Sequence, residues 1–192
     1  RSQSMLRSTF RANKSLLRLS PLIPRMISTG SVTPTGTLVD IIDSKDGELN
    51  VINAQDLGAM LASQKKTVLF AVPGAFTPTC SEKHLPGFIE KAADIRAKGV
   101  EDIYCLSVND FFVMKAWGKA TEGFAESGIK LVADGNGDFT RSIGLELDLA
   151  SHRLGKRCSR FAAILEGGVI QSIEVDESGL DSTSAESVLT RL

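Results

Sequence analysis

The chain is poor in the residues that build metal centres and disulfide frameworks, with 3 cysteines and 2 histidines among 192 residues. Cys80, Cys105 and Cys158 form neither a C-x-x-C pair nor a metal-binding spacing, and an odd number of thiols does not close a disulfide framework. His84 and His152 are the only imidazoles, which argues against a histidine-based zinc site. Free thiols in a reducing compartment and no metal or other cofactor are therefore expected. Uninterrupted apolar runs are only a few residues long, against the ~20 that a bilayer-spanning helix needs. Carboxylates are missing from residues 1–39 altogether; Asp40 is the first.

That last absence divides the chain. Residues 1–39 carry Arg1, Arg7, Arg11, Lys14, Arg18 and Arg25 among Ser, Leu, Ile and Phe, the composition of an organelle transit peptide. A leader over residues 1–30 and a folded domain over 31–192 are expected, with the mitochondrion ahead of the plastid as destination. Arg25, shortly before Ser28 and Thr29, suits processing there, and a solvated basic tail is the plainer alternative. Taking those six cations from the 22 basic residues leaves 16 against 23 acidic ones, a body of about −7 that does not suit nucleic acid. With 42% hydrophobic and 23% charged residues, the body reads as one ordinary globular domain.

Periodicity and turn signals give a coarse map. Thr37–Asp43 and Glu48–Ile52 read as a hairpin about Lys45-Asp46-Gly47, Asn53 with Asp56 three residues later opens a helical stretch to about Ser63, and Lys66–Val72 reads as a buried strand. A helix over Ser81–Lys98, a strand over Ile103–Val108, helical residues from Phe111 to Phe124, a strand over Ile129–Ala133 and a short helix over Asp138–Ile143 follow. Arg160–Leu165 and Val169–Val175 make a second hairpin about Gly167-Gly168, and a terminal helix begins near Ala185. Alternating β and α units ending in a hairpin imply an α/β fold with a mixed sheet covered on both faces.

The segment Val72–Gly87 carries the chemistry. A buried strand breaks at Pro73-Gly74 and restarts as a helix near Pro78, with Thr77 as its cap or, in a competing register, a capping box from Thr79 to Glu82. Either way Cys80 falls in the first turn, where orphan N–H groups and the helix dipole favour a thiolate. Ionisation alone has a limited effect. An ordinary thiol is already about one-tenth ionised near pH 7.5, so full ionisation adds only about tenfold in rate. Rapid attack by such a thiolate needs further groups that hold the substrate and stabilise the departing atom. Thr77, with a hydroxyl one turn away, and the cation Arg160 are the candidates, although Arg160 read alone is an ordinary surface salt-bridge residue.

Other signals are weaker. Asp134-x-Asn136-x-Asp138 begins like a calcium loop, but Phe139 and Leu145 occupy the positions of the required Gly and Glu, so a solvated turn is expected. Trp117 and His84 read as packing residues.

The run Pro73-Gly74-Ala75-Phe76-Thr77-Pro78-Thr79-Cys80-Ser81 contains a Pro-x-x-x-Thr-x-x-Cys motif and resembles the peroxiredoxins, in particular the type II or peroxiredoxin-5 subgroup. His84-Leu85-Pro86-Gly87-Phe88, Cys105-Leu106-Ser107-Val108-Asn109-Asp110 and Arg157-Cys158-Ser159-Arg160-Phe161 extend the resemblance over roughly Thr37 to Leu192. It implies a thioredoxin-like fold and a peroxidase that reduces hydrogen peroxide and organic hydroperoxides through a Cys80 sulfenic acid. By motif position Thr77 would bond thiolate and peroxide, Arg160 would hold the thiolate and orient the substrate, Pro73 would shield the site, and Gly74 would help shape the pocket. The resemblance also implies recycling by glutathione with glutaredoxin or by thioredoxin, and a homodimer paired across loops near the site. A peroxide sensor or redox interaction protein using the same thiol remains open at this point. Cys105 matches the resolving position of plant-type relatives, and the segment around Ser182, where animal peroxiredoxin-5 carries its resolving thiol, has no cysteine. Because Ile103-Tyr104-Cys105-Leu106 reads as a buried strand, resolution by Cys105 is expected to be slow and attack by an external thiol to compete with it. Cys158 is a weaker second candidate, on the expectation that it shares a strand face with Arg160.

Overall fold

The computed structural model describes residues 26–192; most of the expected leader lies outside the described residues. Ile27, on the leader side of the expected boundary, is buried and donates its N–H to the Ile143 carbonyl at 2.9 Å. The packed body therefore reaches back past residue 31.

Strand β1 (Leu38–Lys45) turns into β2 (Glu48–Asp56) through Asp46 and Gly47, both with positive φ, the backbone that a tight hairpin demands. β2 runs past its expected end at Ile52 because Gln55 and Asp56 pair with Val39 and Leu38. Asp56 then caps α1 (Leu57–Ser63), accepting from Ala59 N–H at 3.1 Å. After β3 (Lys66–Ala71) and the turn that carries Cys80, α2 (Leu85–Ala97) ends at Lys98-Gly99 and leads to β4 (Asp102–Ser107). Asp110 caps α3 (Phe111–Ala120). The helix expected to continue to Phe124 ends at Ala120, where Thr121 turns to extended backbone at ψ 118°, and past Gly123 at φ 72° α4 (Phe124–Ser127) forms a separate turn. β5 (Lys130–Ala133) and α5 (Asp138–Ser142) follow. Asp134 does not sit in a solvated turn: its buried carboxylate accepts from the N–H groups of Phe139 and Thr140 at the start of α5.

β6 (Glu146–Asp148) and β7 (Lys156–Cys158) form a small two-stranded sheet that the sequence reading missed. β8 (Arg160–Glu166), β9 (Val169–Asp176) and α6 (Ala185–Arg191) complete the chain. The main sheet has seven strands in the order β2-β1-β5-β4-β3-β8-β9; β3, β4 and β5 run parallel and the other neighbouring pairs antiparallel.

Alternation along the central strands sorts the core into two layers. Val68, Phe70, Ile103, Cys105, Ala162 and Ile164 face α2, α3, α4 and α6, whereas Leu69, Ala71, Tyr104, Leu106, Phe161 and Ala163 face α1 and α5. Cys80 lies in the first layer and Cys158 in the second. Ser159 interrupts the strand between β7 and β8, and its N–H goes to the Leu145 carbonyl. The shared face expected for Cys158 and Arg160 is therefore not formed.

Candidate active site

The site is built where β3 ends. Val72 still bonds to the Leu106 carbonyl, after which the chain turns over Pro73–Thr77, with Phe76 in the left-handed region at φ 62° and the residue 55% exposed. A non-glycine residue held there costs on the order of 1–3 kcal/mol, a strain that the surroundings must offset. Asn109, just past β4, contributes to that hold: its Oδ1 accepts from Ala75 N–H at 3.0 Å and from the Ser107 hydroxyl at 2.8 Å. Gly74 leaves room beside it, since a Cβ there would stand 3.2 Å from both Arg157 Nη1 and Thr77 Cγ2.

The helix starts with Ser81 N–H donating to the Thr77 carbonyl at 3.0 Å, which puts Cys80 in the first turn, where N–H groups have no carbonyl ahead of them. Neither expected side-chain cap forms. Thr79 makes no capping bond, and the Thr77 hydroxyl donates to the Gly74 carbonyl at 2.8 Å. A hydroxyl has one proton, so in this arrangement Thr77 offers lone pairs rather than a donor.

The single regular helix expected over Ser81–Lys98 begins instead with a π-helical turn at Cys80–His84, where Leu85 N–H reaches the Cys80 carbonyl. Pro86 explains the wide turn: it has no N–H for the Glu82 carbonyl, and its ring would collide with that group in a regular helix. Below the turn, Trp117 Nε1 donates to the Ser81 hydroxyl at 2.9 Å.

Arg160, the first residue of β8, reaches the same point from across the sheet. Its Nη2 lies 3.5 Å from Cys80 Sγ and its Nη1 2.8 Å from His84 Nδ1. The residue is only 8% exposed and, among the described residues, makes no ion pair with a carboxylate. The surface salt bridge that Arg160 would make if read in isolation is absent. A buried guanidinium needs a counter-charge or a full set of acceptors, and the nearest group able to become an anion is the Cys80 sulfur. A cleft of about 430 Å³, lined by Pro73, Thr79, Ser159, Arg160, Val175 and Glu177 among others, opens beside this pair.

His84 was not singled out for the site by sequence reasoning, although its place four residues after Cys80 on one helix was a usable signal. Burial first, and the Arg160 guanidinium second, push its pKa down to about 4, with the Thr183 carbonyl and Asp176 acting the other way. Cys105 and Cys158 stand apart from the cluster. Both are buried free thiols, and burial pushes Cys158 up to about 12 and Cys105 well above its ordinary range. Among the described residues no group of three or more His, Cys, Asp or Glu side chains is placed to hold a metal, and no helix is long and apolar enough to cross a membrane.

Comparison with known proteins bears on what this arrangement does. The Redoxin family model matches residues 42–189. Peroxiredoxin-2B of Arabidopsis thaliana is 46% identical over 167 residues, covering 86% of this chain and 98% of that protein. The chain belongs to the type II peroxiredoxins. The chloroplastic peroxiredoxin-2E-2 of Oryza sativa subsp. japonica is 47% identical over 169 residues, 86% of this chain and 72% of that protein. The crystal structure of reduced Prx3 from Vibrio vulnificus in complex with hydrogen peroxide superposes with a TM-score of 0.73 at 40% identity, covering 87% of this chain and all of that one. This peroxiredoxin has the thioredoxin-like fold and is a thiol-dependent peroxidase that takes a hydroperoxide and a thiol reductant. The sensor reading gives way to the enzyme.

Proposed function

We propose that Cys80 is the sulfur that attacks the peroxide, with Arg160, Thr77, Pro73 and Gly74 forming its site. The observation that carries this reading is the buried Arg160 guanidinium, without a carboxylate partner among the described residues and 3.5 Å from Cys80 Sγ at a helix start. The thiolate pair forms an S–O bond as the O–O bond breaks, and the departing oxygen takes a proton to become water or an alcohol. Sulfur is oxidised by two electrons to a sulfenic acid and the peroxide is reduced. Arg160 stabilises charge on both the sulfur and the leaving oxygen. Thr77, its own proton held by Gly74, accepts from the hydroxyl of the incoming hydroperoxide, and Pro73 walls the cleft.

Recycling takes two external thiols. One attacks the sulfenic sulfur, releasing water and leaving a mixed disulfide; the second displaces Cys80 as a thiolate. Glutathione with glutaredoxin, or a thioredoxin, suits this route. The burial of Cys105 in mid-strand supports external resolution over an internal disulfide. The exposed Phe76 ring supports a homodimer paired through the active-site turns. The names of the chloroplastic relatives support an organellar address, with the plastid ahead of the mitochondrion, and the buried Ile27 favours a leader that ends before it.

The test is peroxide consumption coupled to a thiol donor. Cys80→Ser is expected to abolish turnover, and Cys158→Ser to leave Cys80 oxidation intact. Substantial activity in Cys80→Ser, with Cys105 and Cys158 present, contradicts the assignment.

A further inference from the structure

The guanidinium beside Cys80 is aimed by a second chain of contacts. An arginine side chain is donor-only, so at 2.8 Å from Arg160 Nη1 the His84 Nδ1 must be the acceptor. The ring proton therefore sits on Nε2, which donates to the Thr183 carbonyl at 3.0 Å. His84 is 1% exposed, and its ring is flanked by Phe70 and Phe88 at centroid distances of 5.1 and 5.5 Å. It has little freedom to turn.

The Thr183 carbonyl is itself held. The Asp176 carboxylate, at the end of β9, accepts from the backbone N–H groups of Asp181, Ser182 and Thr183 and from the hydroxyls of Ser182 and Thr183, at 2.6 to 3.2 Å. Arg191 Nη2 adds a bond to the Ser182 carbonyl at 3.1 Å. The loop 177–184 is thereby folded onto one carboxylate and presents a fixed acceptor to a buried imidazole.

We propose that His84 is a positioning residue for the oxidation step: it aims Arg160 at Cys80 and, through the Thr183 carbonyl, makes that aim depend on the seating of the 177–184 loop. This rests on the reading of Cys80 and Arg160 as the reacting pair. Without an acceptor at Nδ1, one face of the guanidinium is left unsatisfied in a buried site, and the fork turns away from the sulfur. A shift of the loop acts on the chemistry by the same route without touching substrate.

The test is the second-order rate of Cys80 oxidation by hydrogen peroxide in the full chain, read by trapping the sulfenic acid, with folding checked by circular dichroism. His84→Gln places its amide N–H near the Nε2 position, within reach of the Thr183 carbonyl, and has no acceptor at the Nδ1 position that faces Arg160; a loss of about tenfold or more is expected. His84→Asn restores an acceptor near the Nδ1 position and should recover most of that loss. In an Arg160→Lys background the His84→Gln loss should largely vanish, because the two changes act on one contact. Asp176→Asn, which leaves the imidazole and its cavity intact, should slow oxidation severalfold. A His84→Gln rate within about twofold of the parent overturns the proposal, as does an equal loss in the Asn variant or a full additional loss in the Arg160→Lys background. If His84→Gln does not fold, an unchanged Asp176→Asn rate overturns it instead. Oxidation that persists in Cys80→Ser marks failure of the underlying site reading rather than of this inference.

Discussion

Cys80 and Cys105 lie in the same apolar layer, 1% and 0% exposed, and differ in almost everything else. Cys105 sits in the middle of β4, paired with Phe70 on one side and Leu131 on the other, so its backbone is locked into the sheet. Burial first, and negative charge at Cys80 second, push its thiol well above the ordinary range, and Arg160 offsets only part of this. Cys80 stands instead where a strand has ended and a helix has just begun, with N–H groups unclaimed and a guanidinium 3.5 Å away. Burial removes water from both sulfurs. What sets the sulfur proposed to react apart from Cys105 is the neighbouring cation and the chain end, not exposure.

The sharpest way to erase that difference is Arg160→Lys. An ammonium keeps the charge but loses the planar fork that reaches Sγ and His84 Nδ1 together, so Cys80 oxidation should slow by about tenfold or more. Stopped-flow oxidation kinetics read this, and an unchanged rate constant would reduce Arg160 to a structural cation.

Acidification strains the Cys80 side selectively. Burial and the Arg160 guanidinium hold the folded-state pKa of His84 down at about 4 against an ordinary value of 6.5, so below about pH 6.5 the unfolded chain takes up a proton that the folded chain refuses. The stability contributed by neutral His84 is complete above pH 6.5 and is lost as pH falls toward 4. Denaturant titration should show a loss of about 2 kcal/mol between pH 7 and pH 5 from this group. His84→Asn should flatten that slope. Asp176 acts in the same direction at lower pH: burial pushes its carboxyl up, but the bonds from Ser182, Asp181 and Thr183 outweigh that and hold it well below the usual range.

Smaller effects follow further from the sulfur. Ser81→Ala leaves Trp117 Nε1 without its acceptor beneath the π-helical turn, and about 1 kcal/mol of stability should be lost in thermal or urea unfolding. Cys105→Ser should change least. Neither Cys80 oxidation nor glutathione-linked recycling should fall, and a collapse of recycling with fast oxidation would make Cys105 an obligatory resolving residue.

Legibility in the sequence followed the range of the interaction. Asp46-Gly47 and Gly167-Gly168 are local signals, and the hairpins they punctuate appear where expected, whereas the helix expected to open at Asn53 starts only at Leu57, because residues 53–56 belong to β2 and Asp56 is the cap. The Cys80 motif is also local, and the helix start it implies is present. The π-helical turn was hidden because its cause, Pro86, reads equally as a residue tolerated near a helix start. Three-residue strands such as β6 and β7 carry too little pattern to show alternation. The role proposed for His84 rests on contacts with Arg160, 76 residues away, and with Thr183, 99 residues away, which no window along the chain contains.

The central claim is that one of three buried sulfurs is chemically distinct. Brief exposure of the reduced protein to one equivalent of hydrogen peroxide with a sulfenic-acid trap, followed by peptide mass spectrometry, tests it directly. The trap is predicted on the Cys80 peptide alone, with Cys105 and Cys158 recovered as free thiols. Adduct on Cys105 or Cys158, or a Cys80–Cys105 disulfide formed as fast as the peroxide is consumed, would contradict it.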